Sequence, residues 1–208
     1  MASGTATTHG EASTDAVQAP IFDLATTTPP PASGLLRRPA VEALQRANPD
    51  RKVVLICAAA GYGKSTVLAQ WCANDTSRPA IWAPLNVSDN ATRVLLARLL
   101  LGLHELSPLD DEGVRALNRR SAGVDADVLQ ILTRCMTERS PFRLAVDDFH
   151  TVTDAGSLAV LRHVVDTLPA GSQIVIATRT DPDIRLARLR AAGDLVEIRS
   201  DALTLSVE

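Results

Sequence analysis

Beyond Gly34 the chain alternates between short runs that are apolar at nearly every position and longer stretches in which apolar residues return at helical spacing. Runs without polar alternation are buried on both faces, the condition of strands in a parallel sheet covered by helices on both sides. Residues 52–57, with Val53, Val54, Leu55 and Ile56 in succession, form the clearest such run. Residues 80–85, 142–146, 173–178 and 195–198 predict further strands. Between them the pattern predicts helices: one starting near Pro39, one from a glycine-rich turn to about Ala73, then 89–103, 125–138, 157–168 and 184–191. Asp89 or Asn90 is available to cap the third of these. Leu158, Leu161, Val164, Val165 and Leu168 put one helical face on the sheet, and Pro169 and Gly171 stop that helix. Residues 108–113 read as an exposed loop, and no internal repeat is visible. The alternation predicts an α/β fold over residues 34–208, a three-layer sandwich with a mainly parallel central sheet.

Residues 1–33 break with this pattern. They are mostly Thr, Ala, Ser, Pro and Gly and end in Pro29, Pro30 and Pro31, a composition that buries too little apolar area to offset its ordering entropy. A disordered leader is expected there, and Ile21, Phe22 and Leu24 within it are given no role. Composition narrows the function classes. The 208 residues are 46% hydrophobic, and 21 Lys and Arg against 24 Asp and Glu leave a net charge of -3. No basic block tracks a nucleic-acid backbone, so the segment is not expected to hold DNA by itself. Cys57, Cys72 and Cys135 are scattered and contain no C-x-x-C pair, which points to a reducing compartment and away from disulfides or a zinc site. The richest apolar stretch, 94–103, is interrupted by Arg98, and the first residues lack a secretory pattern. A cytoplasmic location is expected.

The segment Ala58-Ala59-Ala60-Gly61-Tyr62-Gly63-Lys64-Ser65 falls between an apolar strand and a helix, where a phosphate-binding loop works. Small residues let the backbone curl until successive N–H groups point inward, and the positive end of the following helix reinforces that cradle. Ala60, Gly61, Tyr62 and Gly63 line it, Lys64 reaches the β- and γ-phosphates, Ser65 ligates magnesium, and Thr66 assists near the α-phosphate. Ala58 stands where the full motif has glycine. Alanine keeps the turn provided that its φ stays negative.

Magnesium beside such a loop needs a carboxylate at a neighbouring strand tip. Asp147 and Asp148 end the run 142–146; Asp147 is the candidate for the metal shell and Asp148 for polarising an attacking water. Arg179 follows the run 173–178 at another strand end, where ligand crevices of open sheets lie. It either reads the γ-phosphate or pairs with a surface carboxylate such as Asp181 or Asp183. His150 reads as a solvated loop residue, and His104 and His163 as helix-surface residues.

Arg37-Arg38-Pro39, the loop 59–65, Asp147-Asp148-Phe149-His150 and Ala177-Thr178-Arg179-Thr180-Asp181-Pro182 together resemble the ATPase module of the MalT-like, large LuxR-type transcriptional regulators, which are P-loop proteins of the STAND class. Ile81-Trp82 with Asp89-Asn90, and residues 186–190, add to the likeness, which covers nearly everything after Gly34. The resemblance implies an ATP-driven switch with Mg2+: ADP-bound at rest, ATP-bound and self-associating after an inducer arrives, and reset by slow hydrolysis. It also implies that Arg38 lies beside the adenine and that Arg179 is a phosphate sensor. The lid, superhelical region and helix-turn-helix of that family would follow residue 208, so DNA is expected as a partner only through a domain outside this chain. Two other classes stay open, an interaction module with a vestigial nucleotide site and a P-loop kinase acting on a small molecule.

Overall fold

In the computed structural model the structure describes residues 38–118 and 126–204. The leader expected over 1–33 lies outside them. The strands are β1 (Val53–Cys57), β2 (Ala80–Pro84), β3 (Arg143–Asp147), β4 (Gln173–Thr178) and β5 (Leu195–Ile198). They form one five-stranded sheet in the order β2-β3-β4-β1-β5, and every pairing is parallel.

Successive residues of each strand feed opposite sides of this sheet. Val53, Leu55 and Cys57 of β1 join Ile81, Leu144, Val146, Ile174 and Ile176 on one side. Val54 and Ile56 join Trp82, Ala145, Val175, Ala177 and Val196 on the other. The first side is covered by α3 (Thr92–Leu106), α4 (Asp111–Asn118), α5 (Ala126–Thr137), α6 (Ala155–Thr167) and α7 (Leu186–Ala192). The second is covered by α1 (Pro39–Ala47), α2 (Lys64–Ala73) and α8 (Ser200–Leu203). The three-layer arrangement read from the apolar runs is therefore the observed one, and the sheet is parallel throughout.

Three local readings differ. The helix expected over 89–103 is instead a 3₁₀ turn, Val87–Asn90, followed by α3. Asp89 does not cap α3, whose N-cap is Ala91; its carboxylate closes a capping box with Asn86 and binds Arg98 through two contacts of 2.9 and 3.2 Å. The exposed loop expected over 108–113 gives way to α4, because Leu109 is buried and the Asp110 carboxylate accepts from Gly113 N–H at 2.8 Å. The four-residue α8 has no sequence counterpart in the periodicity.

The break in the apolar stretch 94–103 now has a cause. Arg98 is 2% exposed and Asp89 fully buried, so the arginine anchors α3 to the turn after β2 from inside the core. At the opposite end of the sheet Arg143, also buried, donates to Gln173 Oε1 at 3.0 Å and to Asp75 at 2.5 Å. Burial opposes ionisation of Asp75, but hydrogen bonds from Ser77 and Arg143 outweigh it and hold the carboxyl at about 2.

Removing one partner of a buried pair strands the other charge in a medium that cannot solvate it. We predict that Asp89→Ala lowers unfolding stability in urea by on the order of 3–5 kcal/mol, and that Asp89→Leu with Arg98→Met recovers most of the loss. Equal stability of Asp89→Ala and the parent would show that the pair is not holding α3.

Candidate functional site

Because all strands are parallel, their carboxyl ends share one edge, and the loops after β1, β3 and β4 meet there. The loop after β1 is the segment expected from its sequence to bind phosphate. Gly61 and Gly63 have φ of 85° and 72°, in the left-handed region that penalises a side chain. At Gly63 the space a Cβ would take is bordered by the Arg38 guanidinium, 2.9 Å away. Ala58 is not among the described residues with positive φ, so alanine is accommodated at the position where the motif has glycine. Its N–H donates to Thr178 O at 3.3 Å, which joins the start of the loop to the end of β4.

Gly63 is the N-cap of α2 and has no side chain to occupy the first-turn N–H groups. Those groups and the helix dipole face the loop. Lys64 is 8% exposed, and its ammonium spans the loop to donate to Ala59 O at 2.8 Å. Ala59, Ala60 and Gly61 are exposed, Tyr62 and Thr66 half-buried, and Ser65 exposed at the start of the helix.

Strand β3 delivers the acids. Asp147 is 7% exposed. Burial pushes its carboxyl above the ordinary range, against the pull of the Ser65 hydroxyl, the Asp148 N–H and the Lys64 ammonium. The Asp148 N–H donates to Asp147 Oδ1 at 2.9 Å. Asp148 itself has φ 52° and ψ 38°, a left-handed conformation that aspartate tolerates better than most residues. This kink turns the chain into a 3₁₀ turn, Phe149–Thr151, and keeps the Asp148 side chain half-exposed above the buried Asp147.

Strand β4 lies between β1 and β3, so Thr178 and Arg179 emerge between the phosphate loop and the acids. Thr178 is buried, its hydroxyl donating to Thr180 O at 2.9 Å. Arg179 is exposed. The surface carboxylates that could have claimed it are engaged elsewhere: Asp181 pairs with Arg199 at 2.5 Å and Asp183 with Arg162 at 3.1 Å. Arg179 stands at the end of β4 near enough for its charge to be felt by His150.

Arg38 reaches the same loop from its outer side. Its guanidinium donates to Tyr62 O at 3.2 Å and to Leu203 O at the end of α8. The candidate residues thus form two groups: Lys64, Ser65, Asp147, Asp148 and Arg179 around the crevice, and Arg38 behind Tyr62 and Gly63.

His150 is not the solvated loop residue that its position suggests. Its side chain is 17% exposed, its Nδ1 lies 3.8 Å from Asp148 Oδ1, and it shares the crevice with Arg179, Lys64 and Asp147. The only sequence signal is its position two residues after the acid pair; the left-handed turn that folds it inward is not legible there. His163 also differs from a plain surface residue, since its Nε2 lies 2.7 Å from the Thr133 hydroxyl and links α6 to α5.

Among the described residues no cluster of three or more His, Cys, Asp or Glu is assembled for a metal. The oxygen donors of Ser65 and Asp147 nevertheless fit Mg2+, which keeps several waters and takes its remaining ligands from phosphate. The three cysteines are free and buried. Among the described residues, no helix is long and apolar enough to cross a membrane.

No protein-family model matches the chain. It is 26% identical over 157 residues to the HTH-type transcriptional regulator MalT of Yersinia pestis (strain Pestoides F) and, to the same extent, to MalT of Cronobacter sakazakii. Each alignment covers 74% of this chain and 17% of the relative, so the chain spans about a sixth of the length of the curated relatives it matches. A solved structure of a Signal Transduction ATPase with Numerous Domains (STAND) protein with a tetratricopeptide repeat sensor, from Pyrococcus horikoshii, superposes with a TM-score of 0.59 at 18% identity. That likeness covers 84% of this chain and 24% of the other. The fold is that of the P-loop ATPases, and the resemblance to the MalT-like regulators holds in sequence.

Desolvation is the main cause that lowers the His150 pKa, and the Arg179 charge adds to it. We predict that Arg179→Ala raises the His150 midpoint in an NMR titration while leaving it below that of an exposed histidine. For a group whose folded pKa is depressed in this way, the unfolded chain takes up the proton first as pH falls. Stability should therefore decline as pH drops through about 6.5, and less steeply in the Arg179→Ala chain. An unmoved midpoint would place Arg179 away from the ring.

Proposed function

We propose that this chain, a P-loop module related in sequence to the MalT regulators, binds ATP or ADP with Mg2+ and serves as the switch of a bacterial transcriptional regulator, hydrolysing ATP slowly. The observation that carries this reading is the convergence of Lys64, Ser65, Asp147, Asp148 and Arg179 from the ends of three strands of one parallel sheet. Nothing in a purely structural role calls for a lysine, an arginine and two carboxylates to be gathered around a loop of left-handed glycines.

In this reading the phosphates sit on the N–H groups of residues 60–65, and Lys64 turns from Ala59 O to the β- and γ-phosphate oxygens. Ser65 and Asp147 hold the magnesium ion, which neutralises phosphate charge when bound. Asp148, half-exposed and turned toward the crevice, accepts a proton from the attacking water. Arg179 contacts the γ-phosphate and so distinguishes ATP from ADP. The nucleoside end extends toward Arg38, with Thr66 near the α-phosphate. ATP-dependent self-association and DNA contact through a further domain belong to the same proposal, as does action in the cytoplasm.

The site predicts opposite effects on function and stability. Lys64→Ala should weaken binding of a fluorescent ATP analogue by roughly 100-fold or more, a change of about 2.7 kcal/mol. Asp147→Asn should abolish the magnesium dependence of that affinity. It should also leave the thermal midpoint unchanged or higher, because it removes a carboxylate that burial holds above its ordinary pKa. ATP binding by the Lys64→Ala chain at parental strength would sink the site assignment.

A further inference from the structure

Asn90 is not among the residues that converge on the crevice, yet its side chain is fully committed. Its Nδ2 donates to Val87 O at 3.1 Å and to Thr151 O at 2.9 Å. Its Oδ1 accepts from Thr153 N–H at 2.7 Å and from Asp154 N–H at 2.8 Å. Two N–H donors and two acceptor sites are all that a primary amide has. One of these bonds stays within the turn after β2, and the other three cross to the segment after β3, 61 to 64 residues away in the chain. Asn90 is itself held in place. It ends the 3₁₀ turn Val87–Asn90, which the Asn86–Asp89 capping box closes, and Asp89 is fastened to Arg98 inside the core.

The segment so gripped is the one that carries Asp148. Thr151, whose carbonyl Asn90 binds, donates through both its N–H and its hydroxyl to Asp148 O, each at 2.9 Å. Asp148 needs that support, because φ 52° and ψ 38° put it in the left-handed region, which is unfavourable for any residue with a Cβ. Released from the brace, the residue would return to a commoner conformation and its carboxylate would move with it. We propose that Asn90 is a positioning residue for ATP hydrolysis: by locking the turn after β2 to the turn after β3, it keeps Asp148 in the conformation that holds its carboxylate half-exposed above Asp147. This rests on the reading of the site as an ATPase with Asp148 as the proton acceptor. In that step the water oxygen bonds to the γ-phosphorus, the bond to the β,γ-bridging oxygen breaks and leaves its electron pair on ADP, and the water proton passes to Asp148. Asn90 acts only on where the acceptor stands.

The test uses the 208-residue chain with Mg2+, measuring ADP affinity, ATP-analogue affinity and single-turnover hydrolysis of ATP. In Asn90→Ala, hydrolysis should fall roughly 10- to 100-fold, the cost of misplacing a reacting group, while both affinities stay within about twofold of the parent. A side chain that served stability alone would lower the unfolding midpoint and leave the folded chains turning over at the parental rate. Asp148→Asn supplies the second reference: the double variant Asn90→Ala with Asp148→Asn should be no slower than Asp148→Asn alone, since a residue that acts through Asp148 then has nothing left to position. Thermal unfolding shows whether each variant is folded under the assay conditions. Should Asn90→Ala not fold, Thr151→Val takes its place; it keeps the N–H bond to Asp148 O, removes the hydroxyl bond, and should give a smaller loss of rate with the same dependence on Asp148. Parental turnover in the variant assayed, a loss of ADP affinity as large as the loss of rate, or rate losses that multiply in the double variant would each overturn the proposal. So would a parent that binds ATP and never turns it over. A parent that binds no nucleotide fails earlier, overturning the ATP-binding reading and with it the role of Asn90.

Discussion

The position of β4 between β1 and β3 is the constraint on which the crevice depends. Neighbouring strands lie about 4.8 Å apart, so the strand bearing the phosphate loop and the strand bearing the acids are separated by roughly twice that distance. The start of α2 leans across the gap and brings the Ser65 hydroxyl to Asp147. Thr178 and Arg179 rise from its middle. If β3 paired directly with β1, Arg179 would lose its place between the loop and the acids, and the crevice would narrow to the width of one strand step. The topology therefore supplies both the gap between the loop and the acids and the cation that rises from the middle of it.

Strand ends alone do not fix the loops that leave them; buried polar groups do. Asp89 and Arg98 tie α3 to the turn after β2, and Asn90, the next residue in that turn, holds residues 151–154. Through one buried ion pair and one amide, the edge strand β2 braces the turn that carries His150. A well-packed apolar pair in place of Asp89 and Arg98 would cost little stability, yet it would lose the capping box that shapes the turn. Arg143, Gln173 and Trp71 do similar work at the other end of the sheet, where Trp71 Nε1 and Arg143 Nε both donate to Gln173 Oε1. These groups hold backbone in place at each end of strands that are otherwise apolar.

Strands buried on both faces declare themselves in sequence because no polar alternation interrupts them, and β4 and β5 have the bounds that their apolar runs suggest. The shape of the loop after β1 was legible for a related reason: its glycines stand at the left-handed positions, within a few residues of the strand end and of the Lys-Ser pair that opens α2. What could not be read depends on contacts far apart in the chain. Asp89 looked like a helix cap because aspartate before an apolar helix usually is one, and only Arg98 in three dimensions diverts it. His150 looked solvated because a histidine in a loop usually is, and only the left-handed Asp148 folds it inward. Strand order, which places Arg179 beside the acids, is likewise a property of the whole chain and of no single segment.

Arg38 joins the two ends of the described fold to the phosphate loop. Its guanidinium lies against Gly63, 2.9 Å from where a Cβ would stand, it binds Tyr62 O, and it binds Leu203 O at the end of α8. Its Nε is buried without a partner, so the residue is held by those two carbonyls and by packing. The loop's backbone is thus in direct contact with the last helix, through a residue that precedes the first. Under the proposed function phosphate would bind the N–H groups of this loop, whereas Arg38 grips one of its carbonyls. A peptide unit cannot rotate one without the other, and a change at the phosphate face of Tyr62 and Gly63 is therefore felt by the guanidinium that anchors α8.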